Sequence, residues 1–139
     1  MTEYKKVFVD TAPFIYLLER GIYYEKIQKL FADWYHKKTS IITSVITVEE
    51  YCVYPYKQNH LEFINNFDQF LLAFGIDIYP IDIEIAKKAA WIRSKYPAFK
   101  AMDSLQLAVA EINQCDCFLT NDKQLNQYTR VSSLIVGDL

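Results

Sequence analysis

Val7-Phe8-Val9-Asp10-Thr11-Ala12-Pro13, residues 7–13, runs from a strand through an acid into a helix without a spacer. The β-branched and aromatic run suits a buried strand, and Pro13 stands where the first turn of a helix tolerates proline. Asp10 is thereby placed just beyond the carboxyl end of a strand, the edge at which open α/β sheets collect their ligands. Outward from this stretch the same alternation repeats. Ile41-Ile42-Thr43, Ile76 to Tyr79, Cys117-Phe118-Leu119 and a weaker run around Val131 to Val136 read as further strands. Helical spacing of apolar residues covers Pro13 to Arg20, Tyr23 to Lys37, Val48 to Tyr54, Leu61 to Phe74, Ile83 to Tyr96 and Ser104 to Asn113. Gly75 and Pro97 stop the fourth and fifth of these. Strands alternating with helices of this length predict an α/β domain built on a mainly parallel sheet with helices on both faces.

The chain has 139 residues, 52% hydrophobic and 16% aromatic, with only 3 Gly. A chain of this size buries roughly two-thirds of its unfolded surface, enough for one core with a cleft. A single domain over 1–139 is expected, with no internal repeat and no linker. No apolar run approaches a membrane span, and Met1 to Lys6 lack the core of a signal peptide, so a cytoplasmic protein is expected. Fifteen Lys and Arg against seventeen Asp and Glu give a net charge of −2. A polyanion must then be met by a local cationic patch or by metal ions, because the overall field supplies no attraction. Cys52, Cys115 and Cys117 are odd in number and the last two are too close for an ordinary bridge, which points to reduced thiols. One Cys-x-Cys pair with the distant His36 and His60 does not make a zinc site.

Four acids occupy corresponding places. Asp10 follows the first strand, Glu50 lies early in the helix after the second, Asp103 opens the helix Ser104 to Asn113, and Asp122 follows the strand ending Phe118-Leu119-Thr120. Each also has a local structural role open to it. Asp10 suits a helix N-cap, Glu50 a capping box with Thr47, Asp103 a cap with Gln106 at its third position, and Asp122 an Asx turn. Jointly they place four carboxylates at one sheet edge, where only protons or cations relieve their repulsion. Hard oxygen ligands of this kind select Mg2+ or Mn2+.

The order and spacing of four segments resemble the PIN domain family, and within it the VapC-type toxins of toxin–antitoxin pairs. The segments are Val7 to Thr11 with Leu17-Leu18, Thr43-Ser44-Val45-Ile46-Thr47-Val48-Glu49-Glu50, Met102 to Ala110, and Leu119-Thr120-Asn121-Asp122. The resemblance implies a five-stranded parallel sheet with acids converging at its carboxyl edge to bind Mg2+ or Mn2+. It further implies an endoribonuclease restrained by a VapB-type antitoxin and forming a homodimer. Carried over by position, Asp10, Glu50, Asp103 and Asp122 are the four catalytic and metal-binding acids. Glu49 rivals Glu50, which is preferred because the bulky apolar Tyr51 follows it; one helical step turns a side chain by about 100°, so both cannot face one cleft. Thr11 and Thr120 are supporting hydroxyls. Two departures stand out: Ala12 offers no polar group where the family often has Ser or Asn, and Lys123 to Asn126 offer no further acid.

The implied reaction is hydrolysis of an RNA phosphodiester by metal-activated water, with no need of His36 or His60. Lys100, Arg93, Lys95 and Lys123 are the candidate cations for the substrate backbone. The Tyr- and Phe-rich segments Phe14 to Tyr24 and Tyr51 to Phe67 suit protein contacts. Two alternatives remain open. One is a PIN-fold module that binds RNA or protein without cutting. The other is a receiver-like signalling domain, disfavoured because the first strand ends in one acid rather than a pair.

Overall fold

Strand alternation sets the architecture. In a computed structural model, which describes residues 3–139, Val7 and Val9 of β1 (Lys6–Val9) point to one face of a sheet and Phe8 to the other. The elements follow as α1 (Thr11–Leu18), α2 (Tyr24–His36), β2 (Ser40–Ser44), α3 (Val45–Lys57), α4 (Leu61–Ala73), β3 (Asp77–Tyr79), α5 (Ile83–Lys95), α6 (Ala101–Ile112), β4 (Cys117–Thr120) and β5 (Ser133–Ile135). Short 3-10 helices span Lys123–Gln127 and Val136–Asp138. Residues 1 and 2, part of the expected 1–139 domain and of the leader reading, lie outside the described residues.

The five strands form one parallel sheet in the order β3-β2-β1-β4-β5. The chain thus moves outward from β1 through β2 to β3, then returns to the other side of β1 for β4 and β5. The reversal falls between β1 and β4, and the carboxyl ends of these two strands flank the crevice where such sheets bind ligands. Both faces are covered, as the sequence predicts. On one, Val7, Val9, Ile41, Cys117 and Leu119 meet Phe14, Phe31, Trp34, Tyr51 and Phe67 from α1 to α4. On the other, Phe8 stacks on Phe118 with centroids 5.2 Å apart beneath Ala89, Ile92, Leu107 and Ala108 of α5 and α6.

Helix ends mostly obey their local signals. Gly75, at φ 62°, takes the left-handed conformation that ends α4, and the N–H groups of Gly75 and Ile76 return to Leu72 and Leu71 at 3.1 and 2.9 Å. Two starts differ from expectation. Helix α3 begins at Val45, with Ser44 as the cap accepting from Ile46 N at 3.0 Å, so the Thr47–Glu50 capping box does not form. The run Val45-Ile46-Thr47 is β-branched, a composition of weak helix preference, and tertiary packing overrides that preference. The helix also continues past Pro55 to Lys57, at the loss of one backbone donor. Helix α6 begins at Ala101 with Lys100 in the cap position, so Asp103 lies in its first turn and does not cap it.

Cys52, Cys115 and Cys117 are all free, in line with the reduced-thiol reading. Burial pushes the thiols of Cys115 and Cys117 up to about 12, which keeps them unreactive. Among the described residues no helix is long and apolar enough to cross a membrane.

Candidate active site

Asp10 is the centre of the crevice. Its N–H continues the sheet ladder to Leu119 O at 2.9 Å, and its extended backbone turns the chain into α1. Its carboxylate is held by three donors: Thr11 N–H at 2.8 Å and the Gln106 amide at 3.3 Å on Oδ1, and the Thr120 hydroxyl at 2.9 Å on Oδ2. The N-cap role and the crevice position therefore coexist in one residue. Glu50 reaches the same place from α3, its Oε1 accepting from the Thr11 hydroxyl at 2.6 Å. Glu49, one step round the helix, is exposed, whereas Glu50 is half-buried.

Asp103 stands half-buried in the first turn of α6. Asp122 follows β4 and caps the first 3-10 helix, accepting from Gln124 N at 3.0 Å as an Asx turn would, while its own N–H donates to Thr120 Oγ1 at 3.2 Å. Thr120 is thus a hinge between two acids, accepting from one and donating to the other. Thr11 likewise joins Asp10 to Glu50.

The electrostatics tie the four acids together. Burial raises the Asp10 carboxyl above its ordinary range, against the Thr11, Thr120 and Gln106 hydrogen bonds and with help from the Asp122 charge. Burial also raises Glu50, offset by the Thr11 bond and reinforced by the charges of Asp10 and Glu49. Asp103 is pushed up to about 6 by burial and then by Asp10, Asp122 and Glu50; Lys100 alone acts the other way. One partly opposing lysine against four acids leaves the crevice short of positive charge. A donor set of carboxylates and hydroxyls, with no thiol or imidazole in it, fits a hard divalent cation in chemistry and in sign. The present arrangement is open: among the described residues no three His, Cys, Asp or Glu side chains are grouped closely enough to hold an ion.

The candidate substrate cations separate. Lys100 is exposed at the start of α6 and its charge reaches Asp103. Arg93 and Lys95 are exposed in the last turn of α5 and are not among the charges that shift Asp10, Glu50 or Asp103. Lys123 lies 3.6 Å from Asp138, which occupies it in a surface ion pair. The sequence reading passed over Ser44, Thr43 and Thr47 as site residues and took Gln106 only as a capping partner. All four are buried behind Asp10. The available signal was a long amide inside the otherwise apolar run Leu105 to Ala110.

A PIN domain family model matches residues 7–131. No significant match is found among curated proteins. Among solved structures, a chain of VapBC2 from Rickettsia felis, bound to a DNA fragment from its promoter, superposes with a TM-score of 0.75 at 16% identity over 94% of this chain and 98% of that one. FitAcB from Neisseria gonorrhoeae gives 0.74 at 22% identity over 96% and 99%. VapC20 from Mycobacterium tuberculosis, a toxin that cleaves the sarcin-ricin loop, gives 0.68 at 16% identity over 91% and 98%. At these identities the likeness is one of fold, along nearly the whole length of each chain.

Proposed function

The chain belongs to the PIN domain family, and from that membership and the four coupled acids we propose that it is a metal-dependent endoribonuclease, the toxin of a VapBC-type pair. The whole chain, 1–139, acts as one nuclease domain in the cytoplasm. The observation that carries the reading is the convergence of Asp10, Glu50, Asp103 and Asp122 on one crevice, where burial and then the other three carboxylates push Asp103 up to about 6.

Asp10, Glu50, Asp103 and Asp122 are the residues that hold Mg2+ or Mn2+. When bound, the ion supplies Lewis acidity to the phosphodiester and lowers the pKa of water. The protein's own contribution is orientation. Thr120 and Thr11 orient the carboxylates of Asp10 and Glu50 through bonds of 2.9 and 2.6 Å. Lys100 and the N-terminus of α6 offer positive charge to the phosphate backbone, with Arg93 and Lys95 extending it at low weight. Lys123 contributes only when its Asp138 pair opens.

A groove of about 470 Å³ between α1, α2 and α4, lined by Leu17, Tyr24, Phe31, Phe70 and Phe74 with Arg20, supports an amphipathic antitoxin segment as partner. The toxin–antitoxin setting of the structurally similar chains supports the same reading. Exposed Val53, Tyr54, Tyr56 and Leu61 support a homodimer, which light scattering on the purified protein tests; a stable monomer at micromolar concentration removes it.

The direct test is cleavage of labelled RNA with Mg2+ or Mn2+, beside an EDTA control and the Asp103→Asn variant. Cutting that needs metal and vanishes in the variant is expected. Retained turnover in the variant sinks the assignment of the site. The open arrangement of the acids favours a second reading, a PIN-fold module that binds RNA without cutting. RNA binding by the wild type with no cleavage in either metal selects it.

A further inference from the structure

Behind Asp10 lies a set of buried side chains whose hydrogen bonds belong to no strand ladder. Gln106 of α6 is 1% exposed, and Ser44, Thr43 and Thr47 at the β2–α3 junction are fully buried. The Gln106 amide touches two of them, Ser44 and Thr47, and also Asp10. Its Oε1 accepts from the Ser44 hydroxyl, and its Nε2 donates to Thr47 Oγ1 at 2.7 Å and to Asp10 Oδ1 at 3.3 Å. The opposite amide orientation would set an oxygen against the Asp10 carboxylate, so the assignment has one solution.

The protons of the threonines then follow. Thr43 Oγ1 lies 2.8 Å from both Val9 O and Thr47 Oγ1; the carbonyl only accepts, so the Thr43 proton goes there and the Thr47 hydroxyl donates to Thr43. Thr47 is therefore left with an acceptor for Gln106. Ser44 Oγ accepts from Ile46 N at 3.0 Å, so its proton is free for Gln106. The chain of donors is ordered from the backbone outward and ends on Asp10.

A carboxylate has about four acceptor sites. On Asp10, Thr11 N–H and Gln106 occupy both sites of Oδ1, and Thr120 occupies one of Oδ2. Among the described residues no donor reaches the second site on Oδ2.

We propose that Gln106 is a positioning residue for Asp10: its amide, locked by Ser44 and Thr47, saturates Oδ1 and commits Oδ2 to the ligand of the crevice. The inference rests on the metal-dependent reading above and extends it to a residue that touches neither substrate nor metal. Partners that orient metal ligands in this way are usually worth about 10- to 100-fold in affinity.

The test is Mn2+ affinity, by calorimetry or electron paramagnetic resonance at neutral pH, with thermal melts in EDTA alongside. The proteins are wild type, Asp10→Asn, Gln106→Met and Ser44→Ala. Gln106→Met keeps the volume without the donor and is expected to weaken Mn2+ binding about 10-fold or more. Ser44→Ala keeps the amide but unlocks it, and is expected to weaken binding by roughly threefold or more in the same direction. A structural cross-link alone would lower the melts and leave the Mn2+ affinity of the folded proteins unchanged, which overturns the proposal. If Gln106→Met does not fold, Ser44→Ala decides by the same criterion. Loss of binding in Asp10→Asn with wild-type affinity in Gln106→Met overturns the Gln106 role and leaves the metal reading standing. A wild type that binds no Mn2+ overturns both.

Discussion

Helix α6 carries two acids about two turns apart in opposite surroundings. Asp103 faces Asp10, Asp122 and Glu50, and is pushed up to about 6 by burial and by their charges. Glu111 is met by the ammonium of Lys88, the Arg130 guanidinium at 3.6 Å and the Tyr128 hydroxyl. Burial alone would raise Glu111, but these hydrogen bonds and charges outweigh it and hold the carboxyl below its ordinary value. Both cations also lie over the Trp91 ring, at 4.6 and 4.4 Å from its centroid. The same residue chemistry on one helix thus serves two ends. At Glu111 the charge is neutralised within the fold and ties α5, α6 and the segment before β5 together; at Asp103 the three neighbouring acids outweigh the one opposing lysine.

The largest expected difference between the two is in activity. Asp103→Asn should lower RNA cleavage by on the order of 10³-fold, while Glu111→Gln should retain activity within about twofold at 25 °C, measured as initial rates. Equal losses would erase the distinction. Stability should divide the other way. Glu111→Gln leaves Lys88 and Arg130 without their anion and should cost about 1–3 kcal/mol, a fall in Tm of several degrees by calorimetry.

Asp103→Asn in EDTA should raise stability, and with it Tm, by no more than about 1 kcal/mol of unfolding free energy once solvent screening of this half-exposed group is allowed for. The two acids also predict opposite pH signs. The Asp103 carboxyl is raised in the folded state, so its contribution is fully present below the unfolded value and lost as pH rises to about 6. The Glu111 carboxyl is depressed, so its contribution is present above the unfolded value and lost as pH falls through the folded one. Subtracting the melts of Asp103→Asn and Glu111→Gln from wild type across pH 3 to 7 reads both signs. The smallest effect is expected at Glu49, which is exposed: Glu49→Gln should leave cleavage within about twofold, where Glu50→Gln should reduce it strongly.

The strands and the coarse layout were legible because Val7-Phe8-Val9 and Cys117-Phe118-Leu119 carry both periodicity and composition for buried parallel strands. The placement of the acids at the sheet edge was legible because Asp10 and Asp122 closely follow strands, while Glu50 and Asp103 lie early in the helices that follow. Their local bonds were not. Thr47 looked like a helix cap and proved to be a buried link to Gln106, since a helix start read from β-branched residues is displaced by packing that the sequence does not display. Pro55 hid the continuation of α3 for the same reason. Gln106 escaped because one polar residue on an apolar face becomes informative only when its partners, from β2 and α3, are known to lie beside it.

The strand order has a consequence for synthesis. Central β1 pairs with β4, and Asp10 takes its ladder bond from Leu119 and a side-chain bond from Thr120. A nascent chain therefore has no assembled crevice until residue 120 has cleared the ribosome. With the activity proposed above, the ribosome that makes this protein would not meet a working nuclease before that point.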